Sequence, residues 1–381
     1  LTFIDNLKLR SSWGQTGNDG GISNYAWQPL YALGWNNALE PGILQSSLGS
    51  KTLEWETNTA FDVALEFGLF KNRISGTVEY FDRQSTNLIF AVPLPLSVGI
   101  GTETRNIGSM YNRGIELQLA GDLIRTKDFV WNIDLNATKL ENKITKMPAE
   151  SKEIIDGTKK LKEGSSLYDY WLREYKGVNP ETGVAEYRAI SYVASNSRIT
   201  ANGDTLTNNI SNARFWYNGT SIPDLTGSVN TSLRYKGFTL SALMVYQLGG
   251  KIYDGAYASL MGAGYHNAKH VDILKRWVNP GDITEVPRMD AGRTADFDAA
   301  SDRWLIDGSF MNIRTVTLSY RLPKSVLSKL KIDNGQVYVS GENFLMLSRR
   351  SGMNVQQNFG GTTSNVYSPA KSLVLGLSFS F

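Results

Sequence analysis

Few residues of the chain have side chains suited to chemistry, and they are concentrated in a small number of segments. The two histidines, His266 and His270, stand four residues apart and lack the glutamate of an HExxH zinc motif. A helical turn would align the two imidazoles, but no third ligand is evident, so a solvated or structural role is the better prediction than a metal site. An outer-membrane hydrolase would need a histidine base that projects from a strand rim beside its nucleophile. Both histidines of the chain instead lie in one long loop. We therefore predict no catalytic residue and no enzyme activity.

A group of acidic residues is a candidate calcium site. Oxygen ligands at short spacing suit calcium, and four aspartates follow one another closely as Asp290, Asp296, Asp298 and Asp302. Their spacing matches no EF-hand, so a solvated loop is the favoured interpretation and a calcium site the alternative. No other cofactor is predicted. The absence of cysteine excludes disulfides and thiolate metal sites.

Aromatic residues in long segments between strands are the main candidates for ligand contact. Their rings could stack against sugars or hold peptide side chains, although packing between loops is the better prediction for any single one. We expect part of this set to line a substrate cavity. The set comprises Trp27, Tyr31, Trp35, Trp216, Tyr217, Tyr253, Tyr257 and Tyr265.

Composition favours an all-β fold. The 381 residues are 41% hydrophobic and 20% charged, with 36 glycines and 11% aromatic residues, which suits strands and tight turns. No run of about eighteen apolar residues predicts a membrane helix. The net charge of +3 is small and spread along the chain, so nucleic-acid binding has no support. The first ten residues lack the features of a signal peptide, so we expect the chain to begin in mid-protein.

Several segments alternate apolar and polar residues over about ten positions, the length that a tilted strand needs to cross a bilayer. In the clearest case, Phe61, Val63, Leu65 and Phe67 alternate with the polar or small residues 62, 64, 66 and 68. The strands of a soluble β-sandwich average only five or six residues. Further predicted strands cover 115–120, 131–138, 229–235, 238–247, 316–322, 337–347 and 373–381.

The connections between these strands alternate between short and long, as in outer-membrane barrels with short periplasmic turns and long extracellular loops. We count about twelve membrane strands, if a weak strand after Gly183 is included. Aromatic residues gather beside the short turns, as an interfacial girdle would. The predicted short turns lie near 70–72, 121–128, 178–183, 236–237 and 323–334, and the long segments at 17–54, 92–105, 146–166, 191–224, 251–306 and 348–369.

A series of motifs resembles the SusC-like (SusC/RagA) branch of the TonB-dependent outer-membrane transporters across nearly the whole chain. The motifs occur in the family's order, and their order and spacing make the resemblance specific. One departure is Met311-Asn312, where the family commonly carries a Leu-Arg-type pair, and we expect it to affect local packing only. The motifs include LKLRSSWGQTGN at 7–18, FGLFKNRISGTVEYFDRQSTNLI at 67–89, NIGSMYNRGIEL at 106–117, GVNPETGVAEY at 177–187, RWVNPGDITEVPR at 276–288 and DGSFMNIRTVTLSYRLP at 307–323.

The resemblance implies that residues 1–381 form the C-terminal part of a transmembrane antiparallel β-barrel of about 22 strands, without the plug domain and TonB box. It further implies TonB-dependent import of oligosaccharides or peptides across the bacterial outer membrane. The implied partners are a SusD-like surface lipoprotein and the TonB–ExbB–ExbD complex. The terminal aromatics Phe379 and Phe381 resemble the signal read by the barrel assembly machinery. A passive porin-like channel, or an outer-membrane adhesin or enzyme built on a barrel, stays open as an alternative.

Overall fold

The computed structural model describes residues 3–20, 22–149, 151–262, 268–293, 297–350, 353–356, 360–363 and 369–380. In the first half of the chain the described residues form the strands β1 (Ile4–Asn18), β2 (Leu30–Leu33), β3 (Ile43–Ser47), β4 (Glu56–Leu69), β5 (Ile74–Thr86), β6 (Ile89–Pro93), β7 (Thr102–Asn106), β8 (Ser109–Arg125), β9 (Phe129–Lys146), β10 (Glu153–Asp156), β11 (Lys159–Lys162), β12 (Asp169–Arg173), β13 (Tyr175–Val178) and β14 (Ala185–Arg188). The second half adds β15 (Ser197–Ile199), β16 (Thr205–Thr207), β17 (Phe215–Thr220), β18 (Leu225–Tyr235), β19 (Phe238–Leu248), β20 (Lys251–Tyr253), β21 (Leu305–Asp307), β22 (Phe310–Arg321), β23 (Asn334–Ser348) and β24 (Ser372–Ser380).

Helices are short. The α-helices are α1 (Gly255–Met261) and α2 (Lys324–Leu330), and the longest 3-10 turn is Val271–Lys275. Among the described residues, no helix has the length and apolarity required to span a membrane.

Ten long strands form one sheet in the order β1-β4-β5-β8-β9-β18-β19-β22-β23-β24. Neighbours such as β4 and β5 pair antiparallel, with Leu65 opposite Val78. These strands run from 9 residues in β24 to 18 in β9, so each reaches the length that a tilted strand needs to cross a bilayer. The predicted alternating segments lie in these strands, except that β22 ends one residue before Leu322 and Phe381 lies outside the described residues. The prediction of long antiparallel strands is confirmed.

The connections of the ten-stranded sheet alternate as predicted. Short turns join β4 to β5, β8 to β9, β18 to β19 and β22 to β23, the last one containing α2. The β18–β19 turn is only Lys236 and Gly237. A Cβ on Gly237 would lie 2.8 Å from the Tyr320 ring, so only glycine fits there. The long connections are called loop 1 (19–55), loop 2 (87–108), loop 3 (147–224), loop 4 (249–309) and loop 5 (349–371).

The predicted count of about twelve wall strands is too high, because ten strands form this sheet within the described residues. The turn near 178–183 joins β13 to β14, each four residues long. These strands are too short to cross a bilayer, and they pair in a separate sheet with the order β13-β14-β16-β15. The weak strand after Gly183 therefore exists, but as part of loop 3.

The apolar face of the long strands is exposed. Phe61 and Leu65 on β4 are 39% and 40% exposed, whereas Ala64 on the opposite face is buried. Strand β24 shows the same pattern, because Leu373, Leu375 and Leu377 are all more than 60% exposed. A water-soluble sheet would cover such residues, so the exposed side suits lipid.

The chain divides into two compact units. The first contains residues 1–121, 136–155 and 161–167, and the second contains 122–135, 156–160 and 168–381. Among the described residues, three buried apolar clusters lie in the second unit. Two of them stabilise loops 3 and 4, and the third packs Ile252 and Val355 of the loops against Phe310 on β22.

Candidate functional site

Loop 4 is built around a buried tryptophan. Trp304 is 1% exposed and packs with Ala258, Met261, Val286 and Phe297, while its indole nitrogen donates to the Ala299 carbonyl at 3.1 Å. Tyr253 and Tyr257 pack against the same cluster. Two of the predicted ligand-contacting aromatics therefore support the loop from within.

An ion pair with a buried carboxylate joins loop 5 to loop 4. The Asp254 carboxylate, 3% exposed, lies 2.9 Å from the Arg350 guanidinium. It also accepts hydrogen bonds from the Tyr257 amide at 3.0 Å and the Thr363 hydroxyl at 3.2 Å. The Arg350 guanidinium in turn lies 4.0 Å from the centre of the Tyr257 ring. Since the Asp254 carboxylate is buried, loss of Arg350 would leave its charge uncompensated.

A tyrosine of loop 3 contacts both other loops. The Tyr170 hydroxyl is 2.7 Å from the Gly361 carbonyl oxygen and 3.0 Å from that of Lys251. The Lys159 ammonium lies 3.2 Å from the centre of the Tyr170 ring and donates to the Tyr168 carbonyl at 2.7 Å. Burial raises the pKa of Tyr170 to about 12 and lowers the pKa of Lys159 to about 7, the latter against the opposing charge of Asp169. Loops 3, 4 and 5 thus meet at one point.

One face of the β12–β17 pair carries alternating aromatic rings and cations. Trp171 contacts Phe215 at 6.1 Å and Tyr217 at 4.7 Å between ring centroids. Lys160 and Arg173 lie over the Trp171 and Phe215 rings at 4.1 and 4.5 Å. All five side chains are partly exposed. Such a surface can stack on a sugar ring or an aromatic side chain while its cations attract carboxylates.

A cavity of about 430 Å³ lies beside the loop end of β22 and β23. Asn312, which is 3% exposed, donates to the Gln356 side chain at 3.1 Å. Its own Oδ1 has no hydrogen-bond partner within the described part of the chain. The Met311-Asn312 departure therefore places an amide, not a guanidinium, at the cavity wall. The cavity is lined by Asn312, Asn343, Leu345, Met346, Leu347, Ser348, Arg350, Met353, Asn354, Pro369 and Lys371.

The predicted ligand-contacting aromatics do not form one cluster. Trp27, Tyr31 and Trp35 are more than half exposed in loop 1, and Trp216 is 51% exposed on β17. Tyr217, Tyr253 and Tyr257 are packed and partly buried. Tyr265 and Phe381 lie outside the described residues, while Phe379 is 42% exposed on β24. Contact of these residues with a substrate stays a prediction.

Two of the four aspartates that were the alternative calcium ligands have other partners. Asp290 accepts from Arg288 at 2.9 Å, and Asp302 accepts from the Tyr175 amide at 2.8 Å. Asp298 is partly buried, which raises the pKa of its carboxyl. No group of three or more candidate metal ligands occurs within the described ranges, and Asp296 and His266 lie outside them. His270 instead accepts a hydrogen bond from the Asp272 amide at 3.2 Å.

Sequence reasoning missed Lys159, Tyr170, Asp254 and Arg350. Tyr170 contacts residues 81 and 191 positions away, and Asp254 pairs with Arg350 of another loop, so no local spacing indicates these three. Lys159 contacts the nearby Tyr168 and Tyr170, but its burial is not evident from its sequence neighbours. The aromatic–cation face was accessible in principle, because Trp171 and Arg173 alternate along one strand as Phe215 and Tyr217 do along the next.

Comparison with known proteins decides the family. The model of the TonB dependent receptor-like, beta-barrel family matches residues 1–344. The chain belongs to this family. An all-β outer-membrane barrel fold is thereby confirmed, and with it the SusC-like assignment, which its relatives support.

Those relatives are receptors and transporters. TonB-dependent receptor P3 of Formosa agariphila is 28% identical over 375 residues, which cover 93% of this chain and 36% of that protein. TonB-dependent receptor SusC of Bacteroides thetaiotaomicron is 25% identical, over 100% of this chain and 38% of SusC. In the solved structure of the RagAB peptide transporter, one chain superposes with a TM-score of 0.85 at 25% identity, covering 100% of this chain and 41% of that one. The chain thus spans about two fifths of the length of the proteins it matches.

Proposed function

We propose that this chain is the C-terminal barrel wall of a transporter that imports oligosaccharides or peptides across the outer membrane. The observation that carries the proposal is the superposition on the RagAB peptide transporter over the full chain. The strict alternation of short turns with loops 1 to 5 also supports it, since import receptors need large loops on one side of the membrane only.

The loops carry side chains that can bind sugars or peptides. Aromatic rings paired with cations on β12 and β17, together with the amide-lined cavity at Asn312, can contact sugars or peptides. In this proposal loops 1 to 5 face the exterior, where a SusD-like lipoprotein covers them, and energy arrives from the TonB–ExbB–ExbD complex. The barrel assembly machinery inserts the protein by reading its terminal aromatics. No residue acts catalytically and no cofactor is required.

Import is tested by uptake of labelled oligosaccharides and peptides into cells that express the full-length protein. We expect uptake that stops when the proton gradient is dissipated or TonB is deleted. Uptake that persists without TonB would indicate a passive channel and overturn the proposal.

Loop orientation is tested with single cysteines, because the chain has none of its own. Ile283 in loop 4 is 97% exposed, and Lys127 lies in the short β8–β9 turn. A membrane-impermeant maleimide should label Ile283→Cys in intact cells and Lys127→Cys only after the outer membrane is permeabilised. The reverse pattern would place the loops in the periplasm.

A further inference from the structure

The outward face of β8 and β9 changes from apolar to charged near the loop end of the two strands. Ile115 on β8 is 53% exposed, and Arg113 and Tyr111 follow on the same face at two-residue steps. On β9, Asn142 faces the other way, because it is 5% exposed and donates to the Asn112 side chain at 2.9 Å. Its odd-numbered neighbours therefore share the outward face with Arg113.

These outward residues form a connected charged cluster. The Arg113 guanidinium lies 3.0 Å from Glu141 Oε2 and 4.1 Å from the centre of the Tyr111 ring. Lys143 lies 3.6 Å from Glu141 Oε1, which also accepts from the Tyr111 hydroxyl at 3.2 Å. Glu141 thus orients two cations, and their side chains stay about 40% exposed.

A third cation adds to the positive charge. Lys139 is exposed two residues before Glu141, and its side chain makes no hydrogen bond or ion pair to any described residue. The second carboxylate on this face belongs to Asp82, which stands opposite Arg113 in the β5–β8 register. Arg113, Lys139 and Lys143 therefore outnumber Glu141 and Asp82, and the surplus is positive.

Aromatic residues place the cluster at a membrane interface. Trp13 stands opposite Phe61, Phe61 opposite Asp82, and Asp82 opposite Arg113, so all four lie in one row across the sheet and on the same face. Trp13 is 68% exposed, and Tyr80, one outward position below Asp82, is 38% exposed. Exposed tryptophan and tyrosine beside an apolar face mark the level of lipid headgroups.

We propose that Arg113, Lys139 and Lys143 bind the phosphorylated headgroup of a lipid in the leaflet at the loop end of the barrel. A guanidinium and two ammonium groups can donate charge-assisted hydrogen bonds to phosphate oxygens, and lysine stems extend along apolar surface while their charges reach the headgroup level. The exposed apolar residues below Arg113 accept the acyl chains. A lipid, and not free phosphate, therefore fits both parts of the surface.

The proposal is tested on the full-length protein in detergent by native mass spectrometry with phosphatidic acid as the probe. We expect Lys139→Gln with Lys143→Gln to weaken phosphatidic acid binding about 25-fold, at about fivefold for each cation near a membrane surface. The single variant Glu141→Gln should strengthen binding, because it removes a competing carboxylate while keeping a hydrogen-bonding side chain.

The matched control is Lys8→Gln with Arg83→Gln, two cations on the opposite face of β1 and β5. This pair should leave phosphatidic acid binding unchanged. Equal losses in the two double variants, unchanged binding in the first, or equally tight binding of zwitterionic phosphatidylcholine would overturn the proposal. Displacement of the lipid by millimolar inorganic phosphate would also overturn it, because it would indicate an anion site without lipid specificity.

Discussion

Tyr170 joins three loops through one hydroxyl group. Its oxygen contacts the carbonyls of Lys251 in loop 4 and Gly361 in loop 5, and the side chain is completely buried. Nothing near Tyr170 in the sequence predicts this role. The sequence identifies aromatic residues of the loops, but the partners of each ring depend on the folded arrangement of distant segments.

We predict that Tyr170→Phe loosens loop 5 without unfolding the long strands. The substitution removes a hydrogen-bond donor shared by the Lys251 and Gly361 carbonyls, which costs about 1 kcal/mol because the Gly361 carbonyl still accepts from the Tyr253 amide. Hydrogen exchange should become faster at residues 251–254 and 360–363. Tyr192→Phe is the control, since Tyr192 is 57% exposed. Unchanged exchange in Tyr170→Phe would show that the hydroxyl does not hold loop 5.

Lys159 makes the stability of the same region dependent on pH. Burial lowers its pKa from 10.5 to about 7, so the unfolded chain holds this proton more tightly than the folded chain between pH 7 and pH 10.5. The free energy of unfolding should therefore rise with pH across that window and be lowest below pH 7. The slope should stay below about 1.4 kcal/mol per pH unit, because water partly screens the group.

Urea unfolding at pH 7, 8 and 9 measures this contribution. In Lys159→Met the rise should be smaller than in the unsubstituted protein, whereas Lys160→Met on the same strand should keep it. An identical pH dependence in all three proteins would contradict the assignment to Lys159.

At the scale of elements, alternation predicted the long strands because each has one apolar and one polar face. Phe61 to Phe67 on β4 is the clearest example. The same reasoning failed at 178–183, where a turn sequence joins two short strands of loop 3. The same residue types form turns between short strands and between long strands. The turn at 178–183 therefore could not show that the strands beside it are too short to cross a membrane.

Close packing between β8, β9 and β5 requires a glycine. A Cβ on Gly114 would lie 2.1 Å from the Lys139 carbonyl oxygen and 2.8 Å from the Phe81 ring. Phe81 is 6% exposed and occupies the space that a side chain would need. The ring and the glycine together keep the three strands in contact.

We predict that Gly114→Val destabilises the folded barrel by about 1–3 kcal/mol through overpacking. Gly101→Val should have little effect, because nothing lies within 4 Å of a Cβ there. The folded fraction is measured from the heat-dependent migration of the full-length protein on SDS gels. Equal folded fractions in the two variants would show that the space at Gly114 is not limiting.

At the scale of the whole molecule, the family assignment explains why apolar side chains are exposed and buried clusters occur in the loops. The long strands expose residues such as Leu65 and Leu375, while the clustered core supports loop 4. This arrangement is expected when lipid covers the outer face of the strands and water surrounds the loops. The alternation of apolar and polar residues predicted the apolar outer face, but the architecture of the loops depended on contacts between distant segments.

The most direct test measures the environment of both faces of β4. Spin labels are attached to single cysteines at Phe61, Val63, Leu65, Asp62 and Glu66 in the full-length protein in bilayers, and collisions with oxygen and with a water-soluble nickel chelate are compared. We predict that the odd positions favour oxygen, because they face lipid, and that the even positions favour nickel. Equal accessibility to nickel on both faces would contradict a membrane-spanning β4 and, with it, the account of the ten strands as a barrel wall.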